Sequence, residues 1–336
     1  MRHVILKALI LILSIVSTSS LALAQDEAVR KNESVTRQKN NKKSKYLEKY
    51  NSVNTYALAD GQHELNAKAN YIGVNFFARY QDNTSYIEIY SEQKGTSASA
   101  QYAYGVNQNI SLGMNLNYKS ATQDLTTYTA SGESKVTSET KGLSNIQLSS
   151  VFAYDLGATA VYAQAVYSPK IGTASFNENT REGNSYSEQA SLELKTTLAL
   201  NAADLKYGFH VNYNLAFDGE DENITSTQTV KTKVTGGGGY GIGSYIEFSN
   251  LSNLNLSAMY MDANSKKYIK QDGNSWSQSP AQQYAQLATA MKIELAQDFS
   301  IVPEANYTTI LNKKVENLEY DQVNFYTVAL GLRKGF

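Results

Sequence analysis

The chain has no cysteine, three prolines, one tryptophan and three histidines among its 336 residues. Without cysteine there is no disulfide and no thiolate metal site. Three histidines leave little for a transition-metal centre, and no metal or cofactor is expected. Neither sign of charge dominates, with 30 Lys and Arg against 31 Asp and Glu. A basic face for nucleic acid is therefore not indicated. Beyond the first two dozen residues no apolar run approaches the ~20 residues of a transmembrane helix.

The start sets the compartment. Arg2, His3 and Lys7 precede or interrupt an apolar run from Val4 to Val16, and Ala22-Leu23-Ala24 is a small-residue cleavage site. This pattern predicts a secretory signal peptide over residues 1–24. Residues 25–61 are polar and basic, centred on RQKNNKKSKYLEK (Arg37 to Lys49). They carry no sustained apolar period and read as a periplasmic extension, disordered or a short helix. The sharper alternative is a segment that enters the folded domain or grips an anionic polymer.

What is abundant lies in residues 62–336. The whole chain holds 25 tyrosines and 21 glycines. Its last stretch, VNFYTVALGLRKGF, places Tyr326, Val328, Leu330, Leu332 and Phe336 on one face. Thr327, Ala329, Gly331 and Arg333 fall on the other, which is the period of a strand. The same alternation recurs upstream. Ile110, Leu112, Met114, Leu116 and Tyr118 alternate with Ser111, Gly113, Asn115 and Asn117. Leu205, Tyr207, Phe209, Val211, Tyr213, Leu215 and Phe217 alternate with Lys206, Gly208, His210, Asn212 and Asn214. Strand pairs are joined alternately by short turns (around 106–109, 155–157, 201–204, 249–253 and 297–299) and by long polar stretches (121–142, 169–188, 218–233 and 262–281).

The pattern predicts an all-β, closed, antiparallel transmembrane barrel of about twelve strands, with short periplasmic turns and long extracellular loops. The apolar faces point outward to lipid, because the polar faces carry charges that a dry core could not hold. Aromatic side chains fall near the ends of the apolar faces. Tyr118, Tyr167, Phe217, Tyr240, Tyr260, Tyr284 and Tyr326 are expected at the outer interface. Tyr104, Tyr154, Phe248 and Phe336 are expected at the periplasmic one.

On these residues the region from about Gln62 to Phe336 resembles the bacterial outer-membrane β-barrel class, whose members commonly end in an amphipathic strand with a terminal Phe. Lys334 departs from that signal by taking a face position that is usually apolar. More narrowly, the glycine-led turns and the closing GLRKGF are similar to the transporter barrels associated with aromatic-compound (phenol meta-pathway) degradation. The resemblance implies a Gram-negative outer-membrane porin-like channel for small molecules, without cofactor or energy input. It also implies contact with outer-membrane lipid and lipopolysaccharide, and recognition of Phe336 by the barrel-insertion machinery.

The inward register gives the candidate pore-lining residues: Glu64, Lys68, Glu193, Lys195, Lys206, His210, Glu247, Lys292, Glu294, Glu304 and Arg333. Most lie near periplasmic turns, and the outer half is expected to be lined by Ser, Thr, Asn and Gly. Twelve strands enclose a bore between a filled barrel and an open porin. Mixed signs suit passive passage of a small polar or charged solute; they also suit ion pairs that brace the wall. Catalytic material is sparse. GGGGYGIG (236–243) contains a glycine pattern of phosphate loops but runs on into a strand, so a nucleotide site is not expected. On a barrel wall those glycines mark a bend or a close approach to the backbone. The acidic run at Asp218, Glu220, Asp221 and Glu222 lacks calcium-loop spacing. His63 falls at the periplasmic start of the first strand, where an outward-facing active site could not use it, and His210 has no carboxylate partner evident in sequence, so no enzyme is expected. The rivals are a closed structural or surface-recognition barrel and, further off, a barrel hydrolase.

Overall fold

The computed structural model describes residues 49–336 apart from 82–85, 271–274, 280, 297, 313 and 316–317. The expected signal peptide and residues 25–48 of the extension lie outside the described residues. Twelve antiparallel strands form one closed wall. They are β1 (His63–Gln81), β2 (Tyr86–Asn107), β3 (Ile110–Thr129), and β4 in two pieces (Gly132–Leu143 and Gln147–Asp155). Next come β5 (Thr159–Ser168), β6 (Ser191–Ala202), β7 (Leu205–Ala216), β8 (Gly239–Phe248) and β9 (Leu254–Ala263). The wall ends with β10, also in two pieces (Gln282–Ala290 and Ile293–Ala296), β11 (Phe299–Ile310) and β12 (Leu318–Gly335). Each pairs with its neighbours in sequence, and β12 closes on β1 from Glu64↔Gly335 outward. Closure leaves no sheet edge within the membrane, where an unpaired edge has no water to bond.

The apolar faces point out. On β7, Phe209, Val211 and Tyr213 are exposed, while His210 between them is 9% exposed. Residues opposite one another in an antiparallel ladder share a face, so the β7 register carries through the wall: Val211↔Ile242 and Ile242↔Tyr260 lie outside, His210↔Gly243 and Gly243↔Met259 inside. Periplasmic turns are closed by their own side chains. The Asn107 side chain accepts from the Asn109 and Ile110 backbone N–H groups, and Asp155 accepts from that of Gly157. Such Asx contacts are what Asn and Asp supply to tight turns.

The long polar stretches are not structureless. Tyr118–Thr129 of β3 pairs with Gly132–Leu143, Gly219–Ile224 with Thr229–Gly236, and Lys266–Lys270 with Ser275–Ser279. Ala174–Asn177 joins Gly219–Ile224 in parallel. Their Thr- and Val-rich alternation favours strand, so the wall continues outward as a crown. The 19 residues of β1, tilted as barrel strands are, reach roughly 45 Å, above an apolar band of ~25 Å. Where the hairpin 219–236 re-enters the wall, Gly236, Gly237, Gly238 and Gly239 have φ of 76°, 87°, 78° and 151°. Four successive left-handed residues need glycine, which accounts for the first half of GGGGYGIG.

Two expectations fail. Tyr284 does not belong to the outer aromatic belt. It pairs with Ile310 and shares the inner face with Gln286. Its ring meets Phe325 edge-on at 6.3 Å, so its position at a strand end was a misleading cue. Nor is the outer half of the lumen lined only by small and polar groups. Ala78, Ile310, Tyr320 and Val323 form a buried cluster there, with Phe76, Tyr284 and Phe325 against it. β1 and β12 change the chemistry of their inward face above Asn70 and Thr327, from amide and charge to Ile72, Val74, Phe76 and Phe325. The remaining expected belt residues, Tyr104, Tyr118, Tyr154, Tyr167, Phe217, Tyr240, Phe248, Tyr260, Tyr326 and Phe336, follow the outward register, with Tyr118, Tyr154, Tyr167, Phe217 and Tyr240 all exposed.

Candidate functional site

Residues 49–62 run inside the barrel at its periplasmic end. Tyr50 and Val53 are each 2% exposed, and Ser52, Ala57 and Leu58 are buried. A short apolar-and-tyrosine stretch, YNSVNTYALADG (50–61), follows the basic run and gives this segment surface to bury. The Tyr50 ring packs with Ala153, Ala160, Tyr162 and Ala199 of the wall. Its hydroxyl donates to the Gly157 carbonyl at 2.5 Å. Val53 packs against Ala290 and Val302.

Backbone groups of this loop find wall partners, as buried polar groups must. The Val53 N–H donates to Glu247 Oε2 at 2.8 Å, and Arg333 donates to the Val53 carbonyl at 3.2 Å. Lys206 Nζ donates to the Asn51 carbonyl at 2.5 Å and to Glu247 Oε1 at 3.2 Å. Asn255 donates to the same Glu247 carboxylate, and Tyr162 Oη donates to Asn51 Oδ1. The Leu58 N–H donates to Ser111 Oγ. Opposite, the Tyr56 hydroxyl donates to Glu64 Oε1 at 2.5 Å while the Arg333 guanidinium lies 4.5 Å over its ring. Arg333 Nε is 3.6 Å from the same Glu64 oxygen. Burial pushes the Tyr56 phenol above the ordinary tyrosine range; the Arg333 charge opposes this and Glu64 adds to it.

The expected lumen residues on strands all follow the inward register, but they fall into two sets. Glu64, Arg333, Lys206 and Glu247 hold the loop. Lys68 pairs with Glu304 at 2.5 Å across the β1–β12–β11 wall. Lys292, in the break of β10, reaches Glu294 at 3.2 Å at the exposed rim. Glu193, Lys195 and His210 lie further out, and none has an ion pair among the described residues. The residues missed from sequence are Tyr50, Val53, Tyr56, Tyr162, Asn255 and the inward Lys119. The tyrosines gave no signal separable from the belts.

The loop divides the lumen. On one side a cavity of about 220 Å³ is lined by Val53 to Tyr56 and by Asn66, Lys68, Gln101, Ser149, Gln164, Thr197 and Glu304. On the other a cavity of about 390 Å³ is lined by Asn51, Ser52, Gln62, Glu64, Lys206, Glu247, Lys292 and Glu294. Val53, Tyr56, Leu58 and Arg333 border both. Further out, His210 and Asn212 lean over Gly243 and Gly241. A Cβ on Gly243 would stand 2.6 Å from His210 Nε2, and one on Gly241 2.2 Å from Asn212 Oδ1. These are the close approaches that the second half of GGGGYGIG admits. No carboxylate meets His210; its Nδ1 is buried without a partner among the described residues.

No family model matches the chain, and no curated protein matches it. Among solved structures it is similar to the COG4313 outer membrane channel from Pseudomonas putida F1, at 10% identity and TM-score 0.52, over 85% of this chain and 99% of that one. It also aligns with a mutant of the TodX monoaromatic hydrocarbon channel, at 9% identity and TM-score 0.45, over 83% and 91% of the two chains. A third is the transport unit of the autotransporter AIDA-I from Escherichia coli, at 10% identity and TM-score 0.42, over 88% and 98%. The first of these carries the conclusion on fold: the chain has the fold of an outer-membrane β-barrel.

Proposed function

We propose that the protein is an outer-membrane channel for passive passage of a small polar or charged solute, with its narrowest point where the 51–58 loop crosses the lumen. The observation that carries this reading is the pair of polar cavities on either side of that loop, sharing Val53, Tyr56, Leu58 and Arg333 as their common border. A wall of mixed charge around a constriction discriminates by size and local field rather than by a single fixed charge. The lipid-facing belt supports outer-membrane lipid and lipopolysaccharide as its surroundings, and Phe336 is the residue we assign to recognition by the insertion machinery. Sparse catalytic material favours transport over hydrolysis.

Planar-bilayer recording of the mature chain, beside a truncation lacking residues 25–62, tests this. The full chain should give small, steady conductance steps, and the truncation markedly larger ones. A silent full chain beside a conducting truncation would favour the second reading, a closed barrel whose crown does the binding. That reading draws on the number of bonds that pin the loop. Silence from both would remove the channel.

A further inference from the structure

Pairing the inward charges against one another leaves a remainder. Glu64 with Arg333, Lys68 with Glu304, Lys206 with Glu247 and Lys292 with Glu294 all lie within 4 Å of an opposite charge. Lys195 and Lys119 do not, nor does Glu193, among the described residues. Lys195 sits on β6 directly between Gln164 of β5 and Asn212 of β7, which are its register partners on the inner face. Gln164 and Thr197, its neighbours across and along the strand, line the outer cavity. Lys195 therefore stands one inward-facing position beyond the Thr197 that lines that cavity, with an amide on each side rather than a carboxylate.

Two further groups there have unused hydrogen-bonding capacity. Asn212 Oδ1 and His210 Nδ1 are buried and unpartnered among the described residues, and His210 is 9% exposed. Glu193 is the nearest competing carboxylate. It is one same-face position outward, ~7 Å along the strand, and is flanked by Val166 and Asn214. Lys119 adds a second unpaired ammonium on β3, beside Asn117 and the buried Asn145, whose side-chain amide is also unpartnered. Two ammonium groups against one carboxylate leave the outer lumen positive, while the paired lattice below it is neutral. Carboxylates at the mouth do not reverse this. Glu188 is met by Lys266 at 3.5 Å and by the Tyr268 hydroxyl. Lys231 likewise meets Glu222 at 3.3 Å, and Lys233 meets Asp218 at 3.0 Å.

We infer that the stretch of lumen bordering the outer cavity on β5 to β7 is a recognition step for small organic carboxylates, with Lys195 meeting the anionic end and Gln164, His210 and Asn212 supplying hydrogen bonds around it. This rests on the channel reading and narrows its solute to an anion. A lysine ammonium flanked by amides gives a weak, reversible site, which suits passage: binding strong enough to select, loose enough to release.

The test uses the full mature chain in planar bilayers under salt gradients, first of potassium chloride and then of potassium acetate. The wild type should prefer the anion in both. Lys195→Gln should reduce that preference about five-fold, the scale of one charge acting over several ångströms in a polar surround. Lys195→Arg should retain it. In parallel, broadening of acetate ¹³C resonances by detergent-solubilised protein should be strong for the wild type and lost in Lys195→Gln. Conductance without anion preference, or with a preference that Lys195→Gln leaves intact, overturns the site while leaving the channel. Lys195-dependent acetate broadening in a protein that never conducts keeps the site and removes the channel.

Discussion

The two halves of the lumen are built from similar residues and used differently. In the periplasmic half, Glu64, Arg333, Lys206 and Glu247 are spent on one another and on the backbone of residues 51–58. In the outer half, Lys195 and Lys119 have no ion pair among the described residues, and His210 Nδ1 and Asn212 Oδ1 are unpartnered there. A buried charge that grips its own chain fixes a constriction. One without such a partner keeps its hydrogen-bonding capacity, which the proposed channel would offer to its solute. Position relative to the loop, more than residue type, decides which role a charge takes, and the difference can be tested by removing groups from each side.

The largest effect should come from Glu247, whose side chain is 1% exposed. Glu247→Ala leaves the Val53 N–H without its acceptor and the Lys206 ammonium, which keeps the Asn51 carbonyl, without its counter-charge. Breaking one side of a buried pair costs about 3–5 kcal/mol, charged here to docking of the loop rather than to the wall. Limited proteolysis in detergent, read by mass spectrometry, should show cleavage within residues 49–62 that the wild type resists. Lys195→Gln, the matching change in the outer half, should leave that protection intact. Equal protection in Glu247→Ala and wild type would mean that apolar packing of Tyr50 and Val53 alone holds the loop.

A smaller effect, specific to pH, is expected at Tyr56. Its phenol is held above the ordinary range when docked, so the docked state keeps its proton more tightly than the undocked one. The contribution is therefore complete below the ordinary tyrosine pKa of about 10 and is lost as pH rises through and beyond it. Bilayer conductance should begin to rise above that pH in the wild type. Tyr56→Phe cannot ionise, so its conductance should lack that alkaline increment, although its baseline is higher for want of the hydroxyl bond to Glu64. The same increment in both proteins would assign the titration to another group.

Period-two alternation made the wall legible from sequence. Leu205 to Phe217 on β7 specified both the strand and its lipid-facing side, because a one-residue slip would turn every apolar group inward. The same alternation sufficed for the inward register of Lys206, His210 and Lys195. Tyr284 escaped it: an aromatic at a strand end suits either a headgroup belt or a lumen cluster, and the choice depends on Phe325 and Ile310, which are distant in sequence. The loop was legible only as an alternative. YNSVNTYALADG has no helical or strand period, and what orders it is Glu247, Arg333 and Tyr162, side chains more than a hundred residues away. Non-local contacts of that kind leave no local pattern to read.

The smallest effect is expected at the rim, and it sharpens the contrast because the residue types are unchanged. Lys292 and Glu294 form the same kind of pair as Lys206 and Glu247, at the same 3.2 Å, yet Glu294 is 68% exposed. Water already solvates both partners, so Glu294→Ala strands no buried charge and should cost between zero and about 1 kcal/mol. It should change neither protease protection of residues 49–62 nor bilayer conductance at moderate salt, where an exposed charge is screened within ~10 Å. If Glu294→Ala instead opened the loop as Glu247→Ala is expected to, burial would not be what separates the gripping charges from the rest. The periplasmic half would then have to be treated as one electrostatic network extending to its rim.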